Sequence, residues 1–264
     1  MDKQEILKEM SMTYEELVDY LWEKYGHAEY DYFCTPECRS KSKKISRTNE
    51  GLFCHHINEG LFCHHIDEDK GACLSNPDFA KRQLWEYQKA ERLVYCNYIE
   101  HLLLHIQITK MKMDEEDKYG LFQNDLSYLI GLIQPGVWWI CEDINELYNS
   151  KGSETKWRDN CFKQISDNQE EYIMIIDSLI DLVRTNYSGY KRKKRIEVGA
   201  ILVNSKTKQK WNVISIDEKD KDVILTLSLG DQKKEVKKKR ENFLGFNEAL
   251  AELKDQLLEV ISEW

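Results

Sequence analysis

Six of the seven histidines fall between positions 55 and 105, as the adjacent pairs His55-His56 and His64-His65 and as His101 and His105. Imidazole titrates near neutral pH and is the commonest side-chain metal ligand, so such a cluster can bind a cation or move a proton. In CNYIEHLLLHI the spacing of His101 and His105 is i, i+4, which puts both rings on one helical face, where they can meet a single ion. An adjacent pair on a strand points its rings to opposite faces, so one ring of His64-His65 can ligate while the other addresses a substrate. Taken singly, each pattern equally describes histidines half buried beside a core.

The elements that must position these rings are legible as patterns. NEGLFCHHI at 49–57 is repeated at once at 58–66. Eighteen residues exceed the usual strand length, and a shift of nine, an odd number, would turn every inward side chain outward, so the two copies cannot serve equivalently. The second copy runs straight into Asp67, Glu68 and Asp69 and the loop toward ERLVYC, and a slipped arrangement that uses the first copy is the alternative. Residues 3–25 carry helical apolar spacing up to a stop at Gly26, which predicts an N-terminal helical segment. From 113 to 183 the chain reads as acidic helices, LSYLIGLI, VWWICEDINELY and EYIMIIDSLIDLV, with a break at Pro135-Gly136. GAILVN, KWNVISID and DVILTLSL predict a small antiparallel, SH3-like module over 196–243, and FNEALAELKDQLLEVISEW an amphipathic helix from about Asn247.

The chain is of α+β class, with expected units at 1–112, 113–190 and 191–264. At 41% hydrophobic and 32% charged it is a globular composition rather than a disordered one. No segment is apolar enough to span a bilayer and the N-terminus is charged, which predicts a cytoplasmic protein without a membrane partner. A net charge of −9 excludes a uniformly basic surface but not local basic patches.

The text GLFCHHIDED, the loop through LSNPDFAKRQLWEYQKA, and then ERLVYCNYIEHLLLHI resembles the HNH (His-Me finger) nucleases, over about residues 45–108. The resemblance implies a ββα finger around one divalent ion, Mg2+, Mn2+ or Zn2+, and hydrolysis of nucleic-acid phosphodiester bonds. By position, His64, His101 and His105 would be the metal ligands and His65 the general base. The family's middle asparagine falls here on Arg92, so Arg92 would clamp a phosphate with Asn97 or Asn76 orienting the base, or the site would be catalytically weakened. A structural zinc is not expected: Cys34, Cys38 and Cys96 are incomplete as a four-thiolate set unless Cys54, Cys63 or Cys73 joins them.

The basic stretch 39–47 precedes the active strand, which makes Lys41, Lys43, Lys44 and Arg47 candidate phosphate contacts. Two further basic runs, 191–195 and 233–240, bracket the β-rich module. Nucleic acid is the expected partner, DNA in preference to RNA, with a homodimer through the acidic helices and the C-terminal helix as a further expectation. A nucleic-acid-binding protein without turnover and a protein-interaction module stand as the other readings.

Overall fold

The computed structural model of the protein describes residues 1–33, 60–71, 73–119, 133–150, 156–186, 196–204, 206–219, 222–239 and 246–258. The first NEGLFCHHI copy, the basic stretch with Lys41, Lys43, Lys44 and Arg47, the run 191–195, and Cys34, Cys38 and Cys54 lie outside them. So does most of LSYLIGLI.

The N-terminal segment is two helices rather than one, α1 (Lys3–Met10) and α2 (Tyr14–Tyr25). Between them Thr13 and Glu16 form a capping box, which satisfies the first amides of a new helix and so favours a restart over continuation. Lys24 at the far end of α2 donates to Glu5 of α1 at 2.5 Å and to the buried Glu100 at 2.6 Å. That three-way tie fixes both helices against the body of the protein.

Two strands, β1 (Phe62–His65) and β2 (Leu93–Cys96), pair antiparallel with His64 opposite Val94 and His65 opposite Leu93. Thus the second copy of the repeat supplies the strand, as expected. Its leader is pinned by Gly60: φ is +85°, and a Cβ there would stand 2.4 Å from the Asn160 carbonyl oxygen. Only glycine permits so close an approach of backbone to backbone. The connection to β2 carries the short helix α3 (Pro77–Ala80) and 3-10 turns at Trp85–Gln88 and Ala90–Arg92.

After Asn97 the chain enters α4 (Tyr98–Tyr119), which is buried on nearly every side over its first three turns. It runs without interruption through residue 112, where the sequence suggested a unit boundary.

Pro135 and Gly136 do not break the next helix. They sit in a π-helical turn, Gln134–Trp138, that feeds directly into α5 (Trp139–Ser150). Helices α6 (Lys156–Ile165) and α7 (Gln169–Asn186) follow.

One apolar core unites α1, α2, α4 to α7 and the terminal helix α8 (Phe246–Leu257). The stripe of α8, with Leu250, Leu253 and Leu257, is met by this chain's own helices, and its last turn is capped: Asn145 Nδ2 and the Tyr172 hydroxyl donate to the Leu257 carbonyl at 2.9 and 3.0 Å. The amphipathic stripe of the terminal helix thus finds its partner within this chain.

The β-rich region is a meander, β3 (Ile201–Val203), β4 (Lys210–Lys219), β5 (Asp222–Leu229) and β6 (Gln232–Lys239), each strand pairing with its sequence neighbour. Alternation along β5 buries Val223, Leu225 and Leu227 against Trp211 and Val213, a small core separate from the main one. Among the described residues no pairing closes β6 onto β3, so the sheet is an open one. No helix among the described residues is long and apolar enough to cross a membrane.

Candidate metal centre

His64 comes from β1, and His101 and His105 from successive turns of α4, directly beneath the strand. One nitrogen from each of the three rings lies within 4.8 Å of the others. Ring centroids stand 5.3 Å (His64–His101), 5.0 Å (His64–His105) and 4.9 Å (His101–His105) apart, an almost equilateral triangle of edge-on imidazoles. His101 Nε2 and His105 Nε2 are 3.2 Å apart. Two nitrogens each about 2.0 Å from a tetrahedral ion would be roughly 3.3 Å apart, so this pair is already spaced for one cation.

Electrostatics agree with that use. Burial pushes the His64 pKa well below its ordinary value, as do the neighbouring His105, His101 and His65. Burial and His105 do the same to His101, and burial with Lys112 takes His105 down to about 4. All three shifts favour the uncharged ring with its lone pair, the state a metal requires. His64 Nδ1 and His101 Nδ1 are buried with no hydrogen-bond partner among the described residues, an unusual cost for polar atoms in a folded chain. The donor set, three imidazoles with two orphaned nitrogens among them, could hold a metal ion.

Sequence reasoning passed over Glu68. Its Oε2 lies 3.2 Å from His105 Nε2, and its Oε1 4.0 Å from His65 Nδ1, so one carboxyl group stands between the histidine cluster and the proposed base. Burial pushes its pKa up to about 7, against the Leu74 backbone N–H and Lys112, which favour the charged form. The acidic triplet after the strand was visible, but the turn at 65–68 that swings Glu68 back under α4 was not. Glu68→Ala is expected to weaken Zn2+ binding by about 10- to 100-fold, the usual cost of removing a group that supports a metal ligand. Competition with a chromophoric chelator measures it, and unchanged affinity would exclude Glu68 from the centre.

His65 points away from the cluster, to the other face of β1. It is 1% exposed, packs on Tyr32 with centroids 4.3 Å apart, and its Nε2 is 3.0 Å from Gln88 Oε1. Gln88 Nε2 donates to the Leu74 carbonyl, which fixes the amide orientation and makes Oε1 an acceptor. His65 Nε2 must therefore donate, and any proton His65 accepts must go to Nδ1.

Arg92 is not a free phosphate clamp. Its Nε donates to Asp67 Oδ2 at 2.6 Å and its Nη2 to Oδ1 of the same carboxylate. Burial would raise the pKa of Asp67, but the hydrogen bonds from Arg92 and Lys70 outweigh it and hold the carboxyl below its usual range. With Ile66 N bonded to the Arg92 carbonyl at 3.0 Å, Arg92 ties the turn after β1 to β2. Asn97 is spent on the start of α4: its Oδ1 accepts from Glu100 N at 3.0 Å, while its own N–H donates to Glu100 Oε2 at 2.7 Å. Asn76 likewise caps α3. The three residues expected to orient a base or hold a phosphate are thus a loop tether and two helix caps. Among the described residues no cysteine joins a metal-holding group.

Comparison with models of known families, with characterised proteins and with solved structures yields no match to this chain.

Proposed function

We propose that the chain is a metal-dependent nuclease of the HNH (His-Me finger) type, hydrolysing phosphodiester bonds in DNA. The observation that supports it best is the convergence of His64, His101 and His105 from a strand, loop, strand and helix in that order. These three would hold the divalent ion, with Glu68 at its side. Bound there, Mg2+, Mn2+ or Zn2+ would neutralise charge growing on the phosphate and the leaving oxygen. His65 is the proposed proton acceptor through Nδ1, the nitrogen nearer Glu68; Gln88 and Tyr32 hold its ring in place. Lys41, Lys43, Lys44 and Arg47 are the proposed phosphate contacts, and a homodimer would bring two such centres to two strands.

Incubation of purified protein with supercoiled plasmid and each of the three metals tests the reading. Metal-dependent nicking is expected, lost in His65→Ala and kept in His56→Ala. No cleavage with any of the metals would sink it, and loss only in His56→Ala would move the site to the first repeat copy.

The engagement of Arg92 by Asp67 and the burial of His65 favour a second reading, a nucleic-acid-binding protein in which the metal finger is a scaffold. It predicts salt-sensitive DNA binding without turnover, unaffected by His65→Ala.

A further inference from the structure

We propose that Tyr14, on the N-terminal helical pair and outside the strand–loop–strand–helix unit, is a positioning residue of the metal centre: it fixes the His64 tautomer so that Nδ1 presents its lone pair to the cation. The inference rests on the metal-binding part of the reading above and adds a residue to it.

The argument is one of valence. The Tyr14 hydroxyl lies 3.0 Å from the Ile66 carbonyl oxygen and 2.9 Å from His64 Nε2. A hydroxyl has one proton, and a carbonyl oxygen can only accept, so that proton goes to Ile66. His64 Nε2 can then bond to the hydroxyl only by donating to a lone pair on Oη. With the ring neutral, Nδ1 carries no hydrogen. Independently, Nδ1 is the buried atom of this ring with no hydrogen-bond partner among the described residues. The hydrogen bonds select the tautomer, and the orphaned atom is the one that tautomer leaves ready to ligate.

The geometry also explains why Tyr14 can hold that orientation. It is the first residue of α2, set by the Thr13–Glu16 capping box, and its ring meets His64 edge-on at 6.2 Å between centroids. The far end of α2 is anchored through Lys24 to Glu100, on the same helix as His101 and His105. The helix that orients His64 is therefore held to the helix that carries the other two ligands. Hydrogen bonds to the second nitrogen of a ligating histidine fix ring and tautomer in this way, and their loss costs about 10- to 100-fold in metal affinity.

The test is Tyr14→Phe, which keeps the ring and removes the oxygen. Long-range proton–nitrogen NMR of 15N-histidine-labelled, metal-free protein is expected to show His64 as the Nε2–H tautomer in the wild type and as a mixture in the variant. Zn2+ is expected to add at His64 Nδ1, with affinity about 10- to 100-fold lower in Tyr14→Phe. An Nδ1–H tautomer in the wild type, Zn2+ attached through Nε2, or an unchanged affinity in a folded variant would overturn the proposal. A wild-type protein with the expected tautomer but no affinity for Zn2+ would sink the metal centre while upholding the hydrogen-bond relay.

Discussion

Replacing His101 with alanine is expected to lower Zn2+ affinity by more than about a hundredfold, beyond the 10- to 100-fold loss that follows removal of a supporting contact. The His101 ring is one corner of the triangle, 5.3 Å from His64 and 4.9 Å from His105 by centroid, and the other two rings already fill the other corners, so neither can stand in for it. The fold should survive, because α4 is held by Ile99, Leu102, Leu103, Leu104 and Ile106, which the substitution does not touch. A thermal-shift measurement separates the two effects. Zinc at a hundred times the wild-type dissociation constant stabilises the wild-type protein by about 2.7 kcal/mol, whereas a hundredfold weaker site gains only about 0.4 kcal/mol at that concentration. A His101→Ala protein that melts like the wild type in chelator and retains the full zinc-dependent rise would show that the triangle is not the metal site.

Gly136→Ala is expected to be the most damaging small substitution near the centre. A Cβ at Gly136 would stand 2.0 Å from His105 Nδ1 and 2.7 Å from two ring carbons. Two effects compete: alanine is preferred to glycine in a helix interior by about 1 kcal/mol, while forcing atoms into a packed site costs about 1–3 kcal/mol or more. At 2.0 Å the second wins, since the ring must leave its place, and His105 cannot move without abandoning His101 and Glu68, each 3.2 Å from its Nε2. Gly136→Ala should therefore lower stability and metal affinity together. Urea unfolding of the double variant with His105→Ala provides the check. Without the ring the alanine has room, and the substitution should become neutral or stabilising by up to about 1 kcal/mol. If Gly136→Ala costs as much without the ring as with it, contact with His105 is not the cause.

The sequence could show which histidines would cluster because their spacing is local. The i, i+4 relation of His101 and His105 is a property of any helix, and the alternation of His64 and His65 is a property of any strand. The meander, the terminal helix and the choice of the second repeat copy follow from patterns of the same short range. The split between α1 and α2 was also written locally, in the Thr13–Glu16 capping box, but the apolar spacing on either side of it concealed the interruption.

What needed the tertiary structure is everything that joins distant positions. Nothing near Tyr14 in the chain announces that its hydroxyl meets a ring fifty residues on, nothing near Gly136 that it covers His105, and nothing near Glu68 that its carboxyl lies between two histidines. Arg92 and Asn97 had the chemistry for a catalytic site, and tertiary contacts turned both to structural use. Residue type and periodicity state what a side chain can do and which face it takes. Which partner it finds depends on how buried surfaces and unsatisfied polar atoms are matched across the whole core, and that information is spread over the chain.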